Sequence, residues 1–124
     1  MEPTRTIGGA ALYRGDCLDV LGGGALPGES VAACIADPPY GIDFHSGSQT
    51  GKSRPAFGRI ANDKAPYIWW IPFAARALRP DGCLACFSRW DVQDVFIRAL
   101  ELAGLTVRSV VVWDKRCHGM GNLR

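Results

Sequence analysis

Asp37-Pro38-Pro39-Tyr40 is the run of residues whose types and order point most directly to chemistry. It follows Val31–Ala36, which is apolar at every position and reads as a parallel strand buried on both faces. Neither proline can donate to a ladder, so the strand must stop there. In open α/β sheets, ligands bind outside the carboxyl ends of strands, and the tetrapeptide sits at such an end. Its chemistry suits a planar amino group. Asp37 offers a carboxylate acceptor, and the rigid prolines hold a main-chain carbonyl, most simply that of Pro38, in fixed geometry beside it. Two acceptors at one –NH₂ bind both hydrogens and draw the nitrogen toward a pyramidal form. That frees a lone pair otherwise delocalised into an aromatic ring. Tyr40 supplies a flat face on which an extruded base can stack, worth ~1–3 kcal/mol.

Other candidate motifs are weaker. Gly47 to Ser53 (Gly-Ser-Gln-Thr-Gly-Lys-Ser) looks like a phosphate-binding loop, but such a loop needs four residues between its glycines and this one has three. Cys83-x-x-Cys86 with Cys117-His118 suggests zinc. Residues 83 and 86 fall on opposite faces of a strand, however, and no second Cys-x-x-Cys follows. Buried thiols acting as small hydrophobes are the favoured reading, and no metal is expected. His45 and His118 have no carboxylate or nucleophile at informative spacing. Residues 41–64 show no period and carry Lys52, Arg54, Arg59 and Lys64. A loop beyond ~15 residues in a compact domain is usually functional or disordered. Its cations suit a nucleic-acid backbone, and a disordered insertion is the alternative.

The elements that must position these residues alternate between strand and helix character, which predicts an α/β layered domain. Ala10–Arg14 reads as a strand. Cys17–Leu21 reads as a helix with Asp16 as N-cap, ended by Gly22-Gly23-Gly24. Pro66–Leu78 reads as a helix, and Pro72 requires it to kink or to begin near Ile71. Trp69 and Trp70 cannot share one helix face, so one is expected in the core and the other packed under the 41–64 loop. Arg79-Pro80-Asp81-Gly82 predicts a tight turn, followed by a strand over Cys83–Ser88. Asp91–Ala103 is the clearest helix. Val92, Val95, Phe96, Ala99, Leu100 and Ala103 share one face. Ser88 with Asp91 resembles a capping box, and Gly104 suits a C-terminal stop. Thr106–Trp113 predicts a β-branched strand.

Length and composition fit this picture. A chain of 124 residues with 48% hydrophobic and 21% charged positions reads as one core-forming domain, residues 1–124. No apolar run approaches the ~18–20 residues of a membrane span, and Met1 to Gly9 lacks a secretory pattern. A soluble, cytoplasmic protein is expected, with no membrane partner. Five cysteines, an odd count, suggest reduced thiols. The net charge of +2 neither requires nor excludes a polyanionic partner.

Asp-Pro-Pro-Tyr after an apolar strand resembles the signature of S-adenosylmethionine-dependent amino-methyltransferases, chiefly the DNA adenine-N6 group. Further landmarks carry the resemblance. Leu12 to Leu18 (Leu-Tyr-Arg-Gly-Asp-Cys-Leu), Leu26-Pro27, Glu29-Ser30-Val31 and Asp37–Gly41 follow one another at the spacing of the permuted, β-type enzymes. Ala77 to Gly82 is similar to the family's helix-to-strand turn, and Val112-Trp113-Asp114-Lys115 to its Trp-x-Lys element. The match covers roughly residues 11–121. It implies a Rossmann-like class I methyltransferase sheet with flanking helices, and S-adenosylmethionine as co-substrate. Asp37 and the Pro38 carbonyl would orient the target amino group and Tyr40 would stack on the flipped base, Pro39 completing the catalytic tetrad. Asp16, Cys17 and Leu18 would contact the cofactor adenine. Lys52, Arg54, Arg59 and Lys115 are the candidate DNA contacts, although Lys115 reads as readily as a solvated loop residue.

In the permuted enzymes a Phe-x-Gly-x-Gly cofactor loop follows the Trp-x-Lys element, and it does not occur in this sequence. The resemblance therefore implies an incomplete sheet, with Ala10–Arg14 lacking a direct neighbour. It also implies that the 124 residues alone bind cofactor weakly or not at all. A second polypeptide or a homodimer would supply the remainder. Cytosine-N4 methylation is the nearest enzymatic variant. A non-catalytic remnant or nucleic-acid-binding module is the alternative from another class.

Overall fold

The computed structural model describes residues 1–43, 60–114 and 116. The element order is β1 (Arg5–Ile7), β2 (Ala10–Leu12), α1 (Cys17–Gly22), β3 (Val31–Ala36), α2 (Ile71–Ala77), β4 (Leu78–Cys86) and α3 (Gln93–Leu102). Helices and strands are mixed, and β3 and β4 form a small parallel sheet, an α/β arrangement. Among the described residues no helix is long and apolar enough to cross a membrane.

Ala10–Arg14 does not stand alone as expected. Its first three residues are β2, which pairs antiparallel with β1, Ile7 opposite Ala10 and Arg5 opposite Leu12. Gly8, at φ +57°, and Gly9 form the two-residue turn. A Gly-Gly pair between two short runs favours this hairpin because glycine reaches positive φ without steric cost.

The β3–β4 pair carries the helices on one face only. Cys34, Ala36, Leu84 and Cys86 pack toward a core of Trp70, Ile71, Ala74 and Phe96. Their alternates Ala33, Ile35, Cys83 and Ala85 are exposed, Ile35 by 78%. The expectation of a strand buried on both faces is thus corrected. Its sequence is apolar throughout, but the helices cover one side, and strand alternation turns the other residues to solvent. Cys83 and Cys86 do face opposite ways, and Cys83 is exposed rather than buried.

Arg79 to Gly82 lies within β4 rather than before it. The pairing steps from Val31 opposite Leu78 directly to Ala33 opposite Cys83, so the expected turn survives as a bulge inside the strand. Gly82 is needed there, because a Cβ would lie 2.9 Å from the Arg79 carbonyl oxygen and 3.0 Å from that of Val31. Arg79 and Asp81 form an exposed ion pair at 2.7 Å across the bulge.

Helix boundaries follow the local chemistry. Asp16 caps α1 by accepting from the Leu18 N–H at 2.8 Å, and α1 ends at the glycine triplet. In α2, Pro72 stands in the first turn, where a missing N–H is harmless, so the helix starts at Ile71. α3 buries Phe96 to 2% exposure. The expected capping box is absent: no side chain caps α3, and Arg89 takes up the Asp91 carboxylate instead. At the other end Gly104, at φ +84°, donates to the Glu101 carbonyl at 2.9 Å, and Leu105 to that of Leu100 at 3.0 Å. That pair of bonds is a Schellman motif.

Thr106–Trp113 joins no ladder among the described strands, which corrects the expected strand. Val110, Val111 and Val112 are 60, 87 and 85% exposed. β-propensity measures fit to a half-buried pleated surface, and no such surface meets these side chains. The segment ends with Trp113 against Phe87, ring centroids 6.1 Å apart.

Candidate functional site

β3 delivers Asp37 to the carboxyl end of the sheet, and the prolines stop the ladder there. The peptide then turns back on the segment leading into α2. The Pro39 carbonyl accepts from the Tyr67 N–H at 3.0 Å, and Tyr40 bridges to Pro66. Gly41, at φ +84°, lets the two segments touch: a Cβ there would lie 2.6 Å from the Ala65 carbonyl carbon. Asp63 fastens the far side. It is only 2% exposed, and its Oδ1 accepts from the Gly41 N–H at 2.8 Å and the Ile42 N–H at 3.3 Å.

Within the tetrapeptide, the Tyr40 hydroxyl donates to Oδ1 of Asp37. That bond engages Oδ1, and Oδ2 accepts no hydrogen bond from the described residues. The Pro39 carbonyl is engaged by Tyr67, whereas that of Pro38 accepts no hydrogen bond from the described residues. Of the acceptor pair expected for an amino group, one Asp37 oxygen is taken by Tyr40, while the other and the Pro38 carbonyl accept no hydrogen bond from the described residues. Burial, the hydrogen bond to Asp37 and its negative charge together push the Tyr40 phenol well above its ordinary range. Burial also pushes the Cys86 thiol up, to about 11, helped by Cys34 and Asp37 nearby.

A cavity of about 680 Å³ joins this end of β3 to the start of α1. Asp16 and Cys17 line it together with Asp37, Pro38 and Pro39. Its remaining wall is mostly apolar, with Leu21, Leu26, Val31 and Trp70 among the contributors. Such a volume, with few polar groups on an apolar lining, matches small-molecule sites in general. Burial and then the neighbouring Asp16 carboxylate raise the Tyr67 phenol above its ordinary value. Burial and Asp16 likewise raise the Cys17 thiol.

The structure thus brings together five of the expected residues: Asp16, Cys17, Asp37, Pro38 and Pro39. Two others stand apart from the cavity. Leu18 packs against the core, and Tyr40 has its ring on the same core and its hydroxyl on Asp37. Lys52, Arg54, Arg59 and Lys115 lie outside the described residues, as does most of the basic loop. Sequence reasoning missed Tyr67 and Asp63. Asp63 falls in the aperiodic stretch and Tyr67 at the head of the run read as a helix, outside its apolar positions, and only the fold brings them to the tetrapeptide. Among the described residues no group of three or more His, Cys, Asp or Glu is arranged to hold a metal ion.

The chain is similar to a protein of Escherichia coli (strain K12) named "Putative methylase YubD", at 30% identity over 106 residues. The alignment covers 82% of this chain, which spans 41% of that relative's length. The similarity supports a methyltransferase-like relationship. No protein-family model matches the chain, and no solved structure matches it.

Proposed function

We propose that this chain carries the methyl-acceptor side of an S-adenosylmethionine-dependent methyltransferase with a Rossmann-like sheet, acting on the exocyclic N6 amino group of adenine in DNA. The observation that carries the reading is the shared cavity: Asp16–Cys17 and Asp37–Pro39, far apart in sequence, line one mostly apolar chamber at the carboxyl end of a parallel strand. The similarity to a methylase supports the reaction class. The order of motifs around Asp37-Pro38-Pro39-Tyr40 supports the adenine-amino subclass.

The chamber suits an adenosyl group. Its volume and apolar wall suit a ring, and Asp16 and Cys17, on its lining, would contact the adenine edge. When bound, S-adenosylmethionine supplies an electrophilic methyl group. The chain's own residues act on the acceptor. Oδ2 of Asp37 and the Pro38 carbonyl accept the two amino hydrogens and turn the nitrogen lone pair out of conjugation. The nitrogen that took the methyl group would gain positive charge while the sulfur kept the electron pair of the broken C–S bond; the two fixed acceptors would stabilise that charge, and Oδ2 of Asp37 would take the surplus amino proton. The hydroxyl of Tyr40 keeps the carboxylate from rotating away.

Transfer of tritium from labelled S-adenosylmethionine to DNA tests this reading, with the chain alone and together with a methyltransferase C-terminal part. Asp37→Ala should lower the rate at least about 100-fold, the scale of losing a fixed stabilising group. Transfer that survives Asp37→Ala rejects the assigned role. DNA binding without transfer under either condition favours a nucleic-acid-binding module.

A further inference from the structure

We infer that a second cavity beside the first seats the base next to the one that is methylated, with Trp69 as its stacking face. The inference rests on the nucleic-acid reading above and extends it to a neighbouring subsite. This cavity measures about 380 Å³ and is lined by Asn62, Asp63, Lys64, Tyr67 and Trp69, with Asp43 beside them. Asn62 and Tyr67 also line the first cavity, so the two chambers share a wall. A polymer with one residue in the first can therefore reach the second with the next.

The tryptophan pair shows why the second chamber is a binding surface and not unfinished core. Trp70 is 5% exposed and donates its Nε1–H to the Tyr67 carbonyl at 2.8 Å. Trp69, the next residue, is 67% exposed. Trp70 accounts for the packing, and the Trp69 indole is left facing the chamber. An aromatic face accepts any base, because every base has a π-surface. The Asn62 amide on the shared wall offers both a donor and an acceptor to a base edge.

The lining decides which part of a nucleotide enters. Trp69, Tyr67 and Asn62 contribute aromatic and amide surface to the chamber, which suits a neutral base rather than a phosphate. Lys64, exposed at its edge, suits the backbone outside. The ligand class is therefore a single-stranded or locally opened nucleic acid, bound base-inward.

Equilibrium binding of a fluorescein-labelled single-stranded DNA oligonucleotide to the full chain, followed by anisotropy, tests the inference. Trp69→Ala should weaken binding about tenfold, the loss expected for one base–aromatic stack. Trp69→Phe, which keeps a ring, should recover most of that loss. Matching circular-dichroism melts for both variants exclude unfolding as the cause, and a melt lowered only in Trp69→Ala counts against the inference by making Trp69 structural. Equal affinity of Trp69→Ala and the unaltered chain overturns the subsite and leaves the substrate reading standing, as does equal weakening by both substitutions. No oligonucleotide binding by the unaltered chain overturns the substrate reading and the subsite with it.

Discussion

Asp37, Tyr40, Cys34 and Cys86 form one small group at the end of the parallel sheet, in which Asp37 adds to the effect of burial on the Tyr40 phenol and, with Cys34, on the Cys86 thiol. Burial pushes the Cys86 thiol from 9.0 to about 11, followed by the effects of Cys34 and Asp37. Burial also raises Cys34. Such thiols stay protonated and unreactive at neutral pH. The consequence for stability has a definite sign. A raised pKa in the folded chain means that the unfolded chain loses its proton first as pH rises. The contribution of Cys86 is therefore complete below about pH 9 and is lost as pH climbs toward 11. Urea midpoints should hold level from pH 7 to 8.5 and then fall. Cys86→Ala should make that fall shallower without abolishing it, because Cys34 and Tyr40 shift the same way. An equally steep fall in the variant would sink the argument. The tetrapeptide itself was legible because four unusual residues ended an apolar run. Asp63 and Tyr67 were not, because neither belongs to a motif or a period. Their roles come from hydrogen bonds to Gly41 and Pro39 that exist only once the chain has folded.

Gly41 and Gly104 share a φ of +84° and differ in everything around them. At Gly104 a Cβ would meet nothing within 4 Å, so Gly104→Ala carries only the strain of the left-handed conformation, about 1 kcal/mol. At Gly41 the same Cβ would lie 2.6 Å from the Ala65 carbonyl carbon and 2.7 Å from the Pro66 nitrogen. Those are backbone atoms held by the Tyr40–Pro66 bridge and the Tyr67 bond, and they have nowhere to move. Gly41→Ala should therefore cost about 3 kcal/mol or more, strain plus overpacking. Urea denaturation of the two variants side by side measures the difference, and equal losses would refute the account of Gly41. The helix stop at Gly104 could be read directly, because the apolar period of α3 ends there. The close approach at Gly41 could not, since its cause lies in a segment distant along the chain. The same reason explains the missed bulge in β4: Arg79 to Gly82 has turn chemistry, and only the pairing with β3 shows that the strand continues through it.

At the scale of the whole molecule, the alternation of strand and helix was legible, and the side each element leaves open was not. An apolar strand pattern reports that both faces are fit for burial, but which of them is covered depends on what packs there. Here α1, α2 and α3 share the core on one face of β3–β4, while Ile35 remains 78% exposed. The run Arg108 to Trp113 makes the same point more strongly. Val111 and Val112 are 87 and 85% exposed and Trp113 is 68% exposed, in a segment free of proline and glycine. Three adjacent valines followed by tryptophan have high β-propensity, and the backbone of residues 106–113 joins no described ladder. Exposed apolar runs of high β-propensity template pairing with other chains. The chain should therefore self-associate as its concentration rises, with Val110 to Trp113 at the contact. Val111→Lys places a charge in the centre of that run, where pairing would bury it, and touches nothing in the core. Dynamic light scattering across a concentration series should show growing particles for the unaltered chain and a nearly constant radius for Val111→Lys, with matching circular-dichroism spectra. Association that persists unchanged in the variant would move the contact elsewhere, first to the open face around Ile35, where Ile35→Lys applies the same test.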